Sequence, residues 1–222
     1  MGSLLIEGLA QLATDYPLFK EAEVQTRLER YIAQVELYNP ALGLVSVRDR
    51  DELIVRHILD SLAPLALLCG VLPGGVPRIA DAGSGAGLPG LPLAIPLPKV
   101  NLTLLERMGR RVSFLHTAVL ACGITNVDIE QTDVERALPG RFDLVSFRAF
   151  RPLDPAMLKA LFRLLAPGGK LAAYKGRSEK ITEEMAGIEE LVGSWTCHEI
   201  SVPFLEEERH LVLIQAPLTQ KD

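Results

Sequence analysis

The stretch Arg78–Gly90, RIADAGSGAGLPG, joins a short apolar run to four closely spaced glycines. A short apolar run that ends in turn residues is typical of a buried strand. Glycine lets the main chain turn sharply and approach a ligand closely because it has no Cβ atom. In open α/β sheets, ligands bind at the carboxyl ends of the strands. The stretch therefore predicts a strand, a tight turn and a helix, with Gly83, Gly85 and Gly87 against a bound ligand.

The rest of the chain places this unit in a parallel sheet. From Val76 onwards short apolar segments alternate with helical ones, a pattern that predicts a doubly wound α/β fold. The predicted strands are RIADA, VNLTLLE, VDIEQ, FDLVSF and KLAAYK, with helices at about 107–122, 154–166 and 178–192. SWTCHEISVPF and ERHLVLIQAP are joined only by a loop and predict a closing antiparallel pair.

The first 70 residues are predicted to be helical. Apolar residues recur every three or four positions in EAEVQTRLERYIAQVELY and form one stripe: Val24, Leu28, Tyr31, Ile32 and Val35. A second helix is predicted from about Asp51, as its N-cap, to about Leu68, before LPGGVP breaks the chain. We therefore expect an N-terminal helical extension over residues 1–72, packed on a core domain over residues 73–222.

Composition narrows the class of protein. The 222 residues are 48% hydrophobic, enough to bury a sizeable core. The three cysteines and four histidines have no disulfide or metal-ligand spacing, so neither a disulfide framework nor a metal is expected. No signal-peptide pattern opens the sequence, and its longest apolar stretch is interrupted by proline and glycine. We expect a cytoplasmic protein that makes no membrane contact.

Charge is unevenly distributed along the chain. The net charge is −5, yet residues 106–180 carry 13 of the 23 Lys and Arg and only 8 of the 28 Asp and Glu. A polyanion could bind a face formed by this basic segment. The same charges also fit an ordinary solvated helix surface.

Two carboxylates beside the glycines distinguish between cofactors. Glu106 ends the second strand, 19 residues after Gly87, where it can accept hydrogen bonds from the ribose hydroxyls of NAD or of S-adenosyl-L-methionine. Asp81 would repel a pyrophosphate laid against the turn, but it would attract the ammonium group of S-adenosyl-L-methionine. The alternative for Asp81 is a helix-capping or turn role. The two residues together favour S-adenosyl-L-methionine.

Several less common strings occur in a characteristic order. VRHILDSLAPL resembles an RHxxDS helix, and FDLVSFRAF, YKG and ERHLVLI follow the glycine turn. YNPALGLVSVRD resembles WNxxxNLTxxRD, with Gly43 and Val45 where Asn and Thr are usual. From about Leu28 to Ile214, the chain resembles the bacterial small-subunit ribosomal RNA guanine-N7 methyltransferase family, also known as glucose-inhibited division protein B.

The resemblance implies a Rossmann-like class I methyltransferase. Its substrate would be N7 of a guanine in small-subunit ribosomal RNA, either as RNA or within the 30S ribosomal particle, and its methyl donor S-adenosyl-L-methionine. Together with the residues inferred from the turn, the cofactor-binding residues would be Asp81, Gly83, Gly85, Leu88, Glu106, Val134, Glu135 and Arg148. Gly83 and Leu88 would meet methionine and ribose, and Val134 with Glu135 the adenine edge. One departure from the family is Asp133 in QTDVE, where arginine is usual.

A basic rim is predicted where the fourth and fifth strands end. Arg148, Arg151, Lys175 and Arg177 follow these strands, and we expect the last three to bind RNA because Arg and Lys bind phosphate. His57 and Asp60, three residues apart on the second helix, would by themselves be a surface pair, and the resemblance implies that they buttress the glycine turn.

No catalytic residue is assigned. The fourth strand is not followed by Asn/Asp-Pro-Pro-Tyr/Phe, and no Pro-Cys pair occurs in the sequence. Guanine N7 carries a lone pair and loses no proton on methylation, so positioning can suffice. Two alternatives stay open at this point: an NAD-dependent oxidoreductase, which GAGLPG permits, and a ribosome-assembly factor without catalysis.

Overall fold

The computed structural model describes residues 3–148 and 153–217. Its strands are β1 Arg78–Ala82, β2 Asn101–Glu106, β3 Val127–Gln131, β4 Phe142–Arg148, β5 Leu165–Lys175, β6 Ser194–Glu199 and β7 His210–Gln215. They form one seven-stranded sheet in the order β3-β2-β1-β4-β5-β7-β6. The first five strands are parallel, whereas β7 runs antiparallel to β5 and β6. The predicted doubly wound sheet with a closing antiparallel pair is confirmed.

Helices cover both faces of this sheet. They are α1 Ser3–Leu12, α2 Ala22–Leu42, α3 Arg50–Leu53, α4 Asp60–Leu62, α5 Leu65–Val71, α6 Gly90–Ala94, α7 Gly109–Cys122, α8 Pro155–Leu164 and α9 Ser178–Ala186. A π-helical stretch, Ile54–Leu59, joins α3 to α4, and 3₁₀ turns occupy Pro17–Lys20 and Glu189–Leu191. The predicted N-terminal helices are therefore present.

The cap of the second helical segment differs from the prediction. Asp49 caps α3, because its backbone is extended and its carboxylate accepts a hydrogen bond from the Glu52 amide at 2.8 Å. Asp51 lies inside the first turn and was wrongly predicted as the cap. The short α6, Gly90–Ala94, is the helix predicted after the glycine turn, although all five of its residues are buried and no apolar stripe marks its bounds.

The hydrophobic core has two parts, one on each face of the sheet. The predicted stripe of α2 is buried and packs in one cluster with α7 and with Ile79, Leu102 and Leu144 of the sheet. The second cluster joins α8 and α9 to the opposite face, around Val145 and Leu171. The N-terminal helices thus form one layer of a shared core. The domain division at residue 72 stays a prediction.

One helical segment of the described residues, Arg50–Val71, is long and apolar enough to cross a membrane by length and composition alone. Half of its most apolar window is buried inside the protein, as in the core helix of a globular fold. Pro64 lies within it, and the LPGGVP interruption follows its end.

Candidate functional site

The glycine turn, residues 83–90, lies at the carboxyl end of β1. Gly83, Gly85 and Gly87 have φ angles of +71°, +59° and +86°, a region that strongly favours glycine. A Cβ atom on Gly87 would lie only 2.7 Å from Leu91 Cδ1, whereas a Cβ on Gly85 would meet no atom of the described residues closer than 3.9 Å. Gly87 is therefore required for packing as well as for conformation, and Gly85 leaves open space beside the turn.

Two carboxylates hold the turn in place. Asp81 Oδ2 accepts a hydrogen bond from the Gly90 amide at 3.0 Å. Glu106 accepts from the Gly85 amide at 2.9 Å with one oxygen and from the Met108 amide at 2.7 Å with the other. Because β1 and β2 are parallel neighbours, both carboxylates emerge at the same edge of the sheet. Carboxylates of β1 and β2 thus hold the turn by hydrogen bonds, and the cofactor prediction depends on the same two carboxylates.

Asp81 has an incomplete set of partners. It is fully buried, and its Oδ1 atom has no hydrogen-bond partner among the described residues. Burial raises the pKa of this carboxyl from 3.8 to about 7, although the Gly90 hydrogen bond opposes the shift. A cation beside Oδ1 would compensate the buried charge. The Oδ1 atom of Asp81 is therefore suited to bind an ammonium group. Its Oδ2 atom stabilises the turn, which is the other role considered for this residue.

A first cavity of about 590 Å³ opens beside the turn, between the ends of β2 and β3. Four of the predicted cofactor residues line it: Gly83, Glu106, Val134 and Glu135. The other four, Asp81, Gly85, Leu88 and Arg148, lie outside this lining. Leu88 is 7% exposed and packed in the core, and Arg148 lines a second cavity. Asp133, the departure from the family pattern, lies at the cavity wall with its carboxylate 4.0 Å from Arg107 Nε.

Arg111 also lines the first cavity and was not predicted. Its Nη1 atom is 3.9 Å from the position that a Cβ on Gly85 would occupy, and its buried Nε has no hydrogen-bond partner among the described residues. The sequence offers little signal for it, because Arg110 and Arg111 are adjacent and only the phase of α7 decides which side chain enters the cavity.

A second cavity of about 360 Å³ lies between the π-helical stretch and the carboxyl ends of β4 and β5. Arg148 lines it and donates from Nη1 to Asp60 Oδ2 at 2.7 Å and to the Arg56 carbonyl at 3.0 Å. Its Nη2 atom is 2.6 Å from His57 Nδ1. Asp60 Oδ1 is 3.2 Å from Arg209 Nε. The hydrogen bonds and ion pairs of His57 and Asp60 thus go to Arg148 and Arg209, and the expected buttressing of the glycine turn stays a prediction.

The chain matches one protein family over most of its length. Residues 24–212 match the family model described as rRNA small subunit methyltransferase G. The chain belongs to this family. It is 34% identical to ribosomal RNA small subunit methyltransferase G of Treponema denticola, over 96% of this chain and 94% of that protein. It is 38% identical to the Klebsiella pneumoniae protein of the same description, over 95% of this chain and 98% of that protein.

Solved structures show the same fold at low identity. A putative S-adenosyl-L-methionine-dependent methyltransferase from Methanococcus maripaludis has a TM-score of 0.57, 16% identity, and covers 83% of this chain and 91% of its own. A predicted O-methyltransferase from Agrobacterium tumefaciens has a TM-score of 0.55, 23% identity, and covers 71% and 78%. These structures confirm the class I methyltransferase fold. The family match confirms the enzyme class and sets the oxidoreductase alternative aside.

In this methyltransferase, His57 is poorly suited to act as a base. Burial and the nearby Arg148 guanidinium lower the pKa of its imidazole from 6.5 to about 4, so the ring is neutral at neutral pH. Since an arginine can only donate, Nδ1 accepts the hydrogen bond from Arg148 and the ring proton resides on Nε2. The lone pair that a general base would use is already occupied.

Some of the predicted RNA-binding residues lie at or beside the second cavity. Lys175 lines it, and its Nζ is 2.6 Å from Glu184 Oε2. Arg177 is exposed in the adjoining groove. Arg151 lies outside the described residues. Arg56 and Arg209 also line the cavity and were not predicted, although both belong to strings that carry the family resemblance.

No group of three or more His, Cys, Asp or Glu side chains that could hold a metal ion occurs within residues 3–148 and 153–217.

Proposed function

We propose that this chain transfers a methyl group from S-adenosyl-L-methionine to N7 of a guanine in 16S ribosomal RNA, as RNA or within the 30S particle in the cytoplasm. The observation that carries the cofactor is the buried Oδ1 of Asp81 beside the glycine turn, which has no hydrogen-bond partner among the described residues. Family membership supports ribosomal RNA as the substrate. The supporting observation for N7 is that His57, the candidate base in the second cavity, has its lone pair occupied.

The residues of the first cavity would hold the adenosine part of the cofactor. Glu106 uses each oxygen for one backbone amide, and the remaining lone pairs can accept the two ribose hydroxyls. Val134 and Glu135 would bind the adenine edge, and Asp81 would bind the ammonium group. Gly83 and Gly85 allow close approach, while Leu88 supports the turn from the core. S-adenosyl-L-methionine supplies an electrophilic methyl group when it is bound.

The residues of the second cavity would bind the target guanine and the RNA phosphates beside it. Arg148 and Arg209 share the single carboxylate of Asp60, and His57 is neutral. These four side chains together therefore carry a net positive charge. Such a site attracts the polyanionic substrate. Because N7 releases no proton, the protein has to bind and orient the base and exclude water, and no residue has to take up a proton.

Labelled methyl transfer tests the proposal directly. Purified protein is incubated with labelled S-adenosyl-L-methionine and either 16S ribosomal RNA or 30S particles that lack the modification. Mass spectrometry of the digested RNA should then identify 7-methylguanosine at one position. Label on an exocyclic amine or a ribose hydroxyl would contradict N7 chemistry, and no transfer to either substrate would favour the assembly-factor alternative.

The rate of methyl transfer is expected to be nearly independent of pH. With saturating RNA and cofactor, the single-turnover rate constant should vary by less than about twofold between pH 6 and 9, because N7 loses no proton and the reaction needs no general base. Cofactor affinity should nevertheless weaken as the pH falls below about 7, where Asp81 becomes protonated. Binding must therefore be measured at each pH. A tenfold rise in rate per pH unit at constant saturation would show that a base exists.

Arg177→Ala is expected to lower the salt dependence of RNA binding. Each lost phosphate contact should reduce the slope of log K against log salt by about 0.7 to 1. Lys175→Ala should have a smaller effect, because Glu184 already neutralises its ammonium group. Cofactor affinity should stay close to that of the wild type. Lys99→Ala is the matched control, because Lys99 is exposed and lies at the opposite edge of the sheet. Equal slopes in all three variants would show that Arg177 makes no phosphate contact.

A further inference from the structure

Helix α2 contacts the glycine turn through one buried hydroxyl. Tyr31 Oη donates a hydrogen bond to the Ala86 carbonyl at 2.7 Å, across 55 residues of sequence. Tyr31 is fully buried, and Ala86 is 2% exposed. Ala86 stands between Gly85 and Gly87, whose φ angles are both positive. The N-terminal layer of the fold therefore reaches the segment of main chain that the cofactor must approach.

This contact supplements two others from the sheet. Asp81 and Glu106 accept hydrogen bonds from amides of the turn, whereas Tyr31 donates to a carbonyl of the turn. A glycine-rich turn has much conformational freedom, so its shape depends on such contacts. Burial raises the pKa of the Tyr31 hydroxyl well above its ordinary value, so it stays a donor at every working pH.

We propose that Tyr31 is a positioning residue for cofactor binding, and that residues 1–72 contribute to the cofactor site through it. This inference rests on S-adenosyl-L-methionine as the cofactor. Without the hydroxyl, the Ala86 carbonyl would lose its buried hydrogen-bond donor. Conformations of residues 83–90 that point this carbonyl towards water would then compete with the conformation that binds the cofactor. Apparent cofactor affinity falls in proportion to the fraction of molecules that hold the binding conformation.

Tyr31→Phe tests the inference, because it removes the hydroxyl and keeps the ring in the core. By calorimetry, the Kd for S-adenosyl-L-methionine and for S-adenosylhomocysteine should rise about threefold to tenfold. The KM for the cofactor should rise with them, while kcat at saturating cofactor stays near the wild-type value. In the unliganded protein, the amides of residues 85–88 should exchange with deuterium faster than in the wild type.

Tyr16→Phe is the matched control. Tyr16 Oη also donates from the N-terminal region to a backbone carbonyl of the core domain, Pro96, at 3.3 Å, but away from the turn. This variant should leave both Kd values and the exchange of residues 85–88 unchanged. Wild-type affinity and exchange in Tyr31→Phe would overturn the inference, as would equal losses in both variants, which indicate general destabilisation. If the wild type fails to bind S-adenosyl-L-methionine, the cofactor proposal falls, and an unchanged exchange rate at the turn would still overturn the role of Tyr31.

Discussion

Glu106→Ala is expected to weaken S-adenosyl-L-methionine binding by about 30-fold to several hundredfold. The substitution removes the acceptors for two ribose hydroxyls, and charge-assisted hydrogen bonds of this kind contribute about 2 to 4 kcal/mol together. It also releases the Gly85 and Met108 amides, which Glu106 holds at 2.9 and 2.7 Å. Both consequences act on the first cavity, so cofactor binding should be more sensitive than global stability.

Calorimetry of folded variants would measure this effect. Glu106→Gln keeps one carbonyl oxygen, which can serve only part of the acceptor set, and should fall between the wild type and the alanine variant. Glu130→Ala is the control, because Glu130 lies on the neighbouring strand β3 and pairs with Arg141 outside the cavity lining. If Glu106→Ala binds the cofactor with wild-type affinity, Glu106 is no ribose acceptor and the first cavity is not the adenosine site.

The sheet and the glycine turn were predictable because their signals are local. The strand RIADA is followed at once by glycines, and observed β1 and β3 have the predicted bounds. The predicted start of β5 was five residues late, because Pro167 and the two glycines after it are typical of a loop, although the chain pairs with β4 from Leu165. The local pattern therefore located the first cavity, whose walls come mainly from the segments that follow β1, β2 and β3.

The second cavity could not be assembled from sequence alone. His57 and Arg148 are 91 residues apart, and they meet only because the helical segment before β1 packs over the end of β4. Arg209 enters because β7 pairs with β5, so that the loop before β7 reaches Asp60. The contact between Tyr31 and Ala86 has the same origin. Such contacts follow from sheet order and helix packing, which leave no periodic mark in the sequence.

Arg148→Met is expected to have the largest effect on stability. The Arg148 side chain is 12% exposed and that of Asp60 is 8% exposed, so the substitution leaves a buried carboxylate without its partner at 2.7 Å. Breaking a buried pair on one side costs about 3 to 5 kcal/mol, and the remaining Arg209 contact places the expected loss at the lower end, about 3 kcal/mol. Methyl transfer should fall as well, because Arg148 lines the second cavity. Arg141→Met, which removes a 32% exposed arginine side chain paired with Glu130, should cost less than about 1 kcal/mol.

The pH dependence of this loss separates an electrostatic cause from a packing cause. In the wild type the pKa of His57 is lowered to about 4 in the folded state. Between pH 6.5 and 4, His57 is therefore protonated in the unfolded chain but still neutral in the folded protein. The contribution of His57 to stability is therefore complete above pH 6.5 and declines by at most about 3 kcal/mol as the pH falls to 4. Arg148→Met removes one cause of the lowered pKa, so the variant should lose less stability on acidification. Urea denaturation at pH 7 and pH 5 should show a smaller difference from the wild type at pH 5, whereas an equal difference at both values would mean that Arg148 stabilises the fold by packing alone.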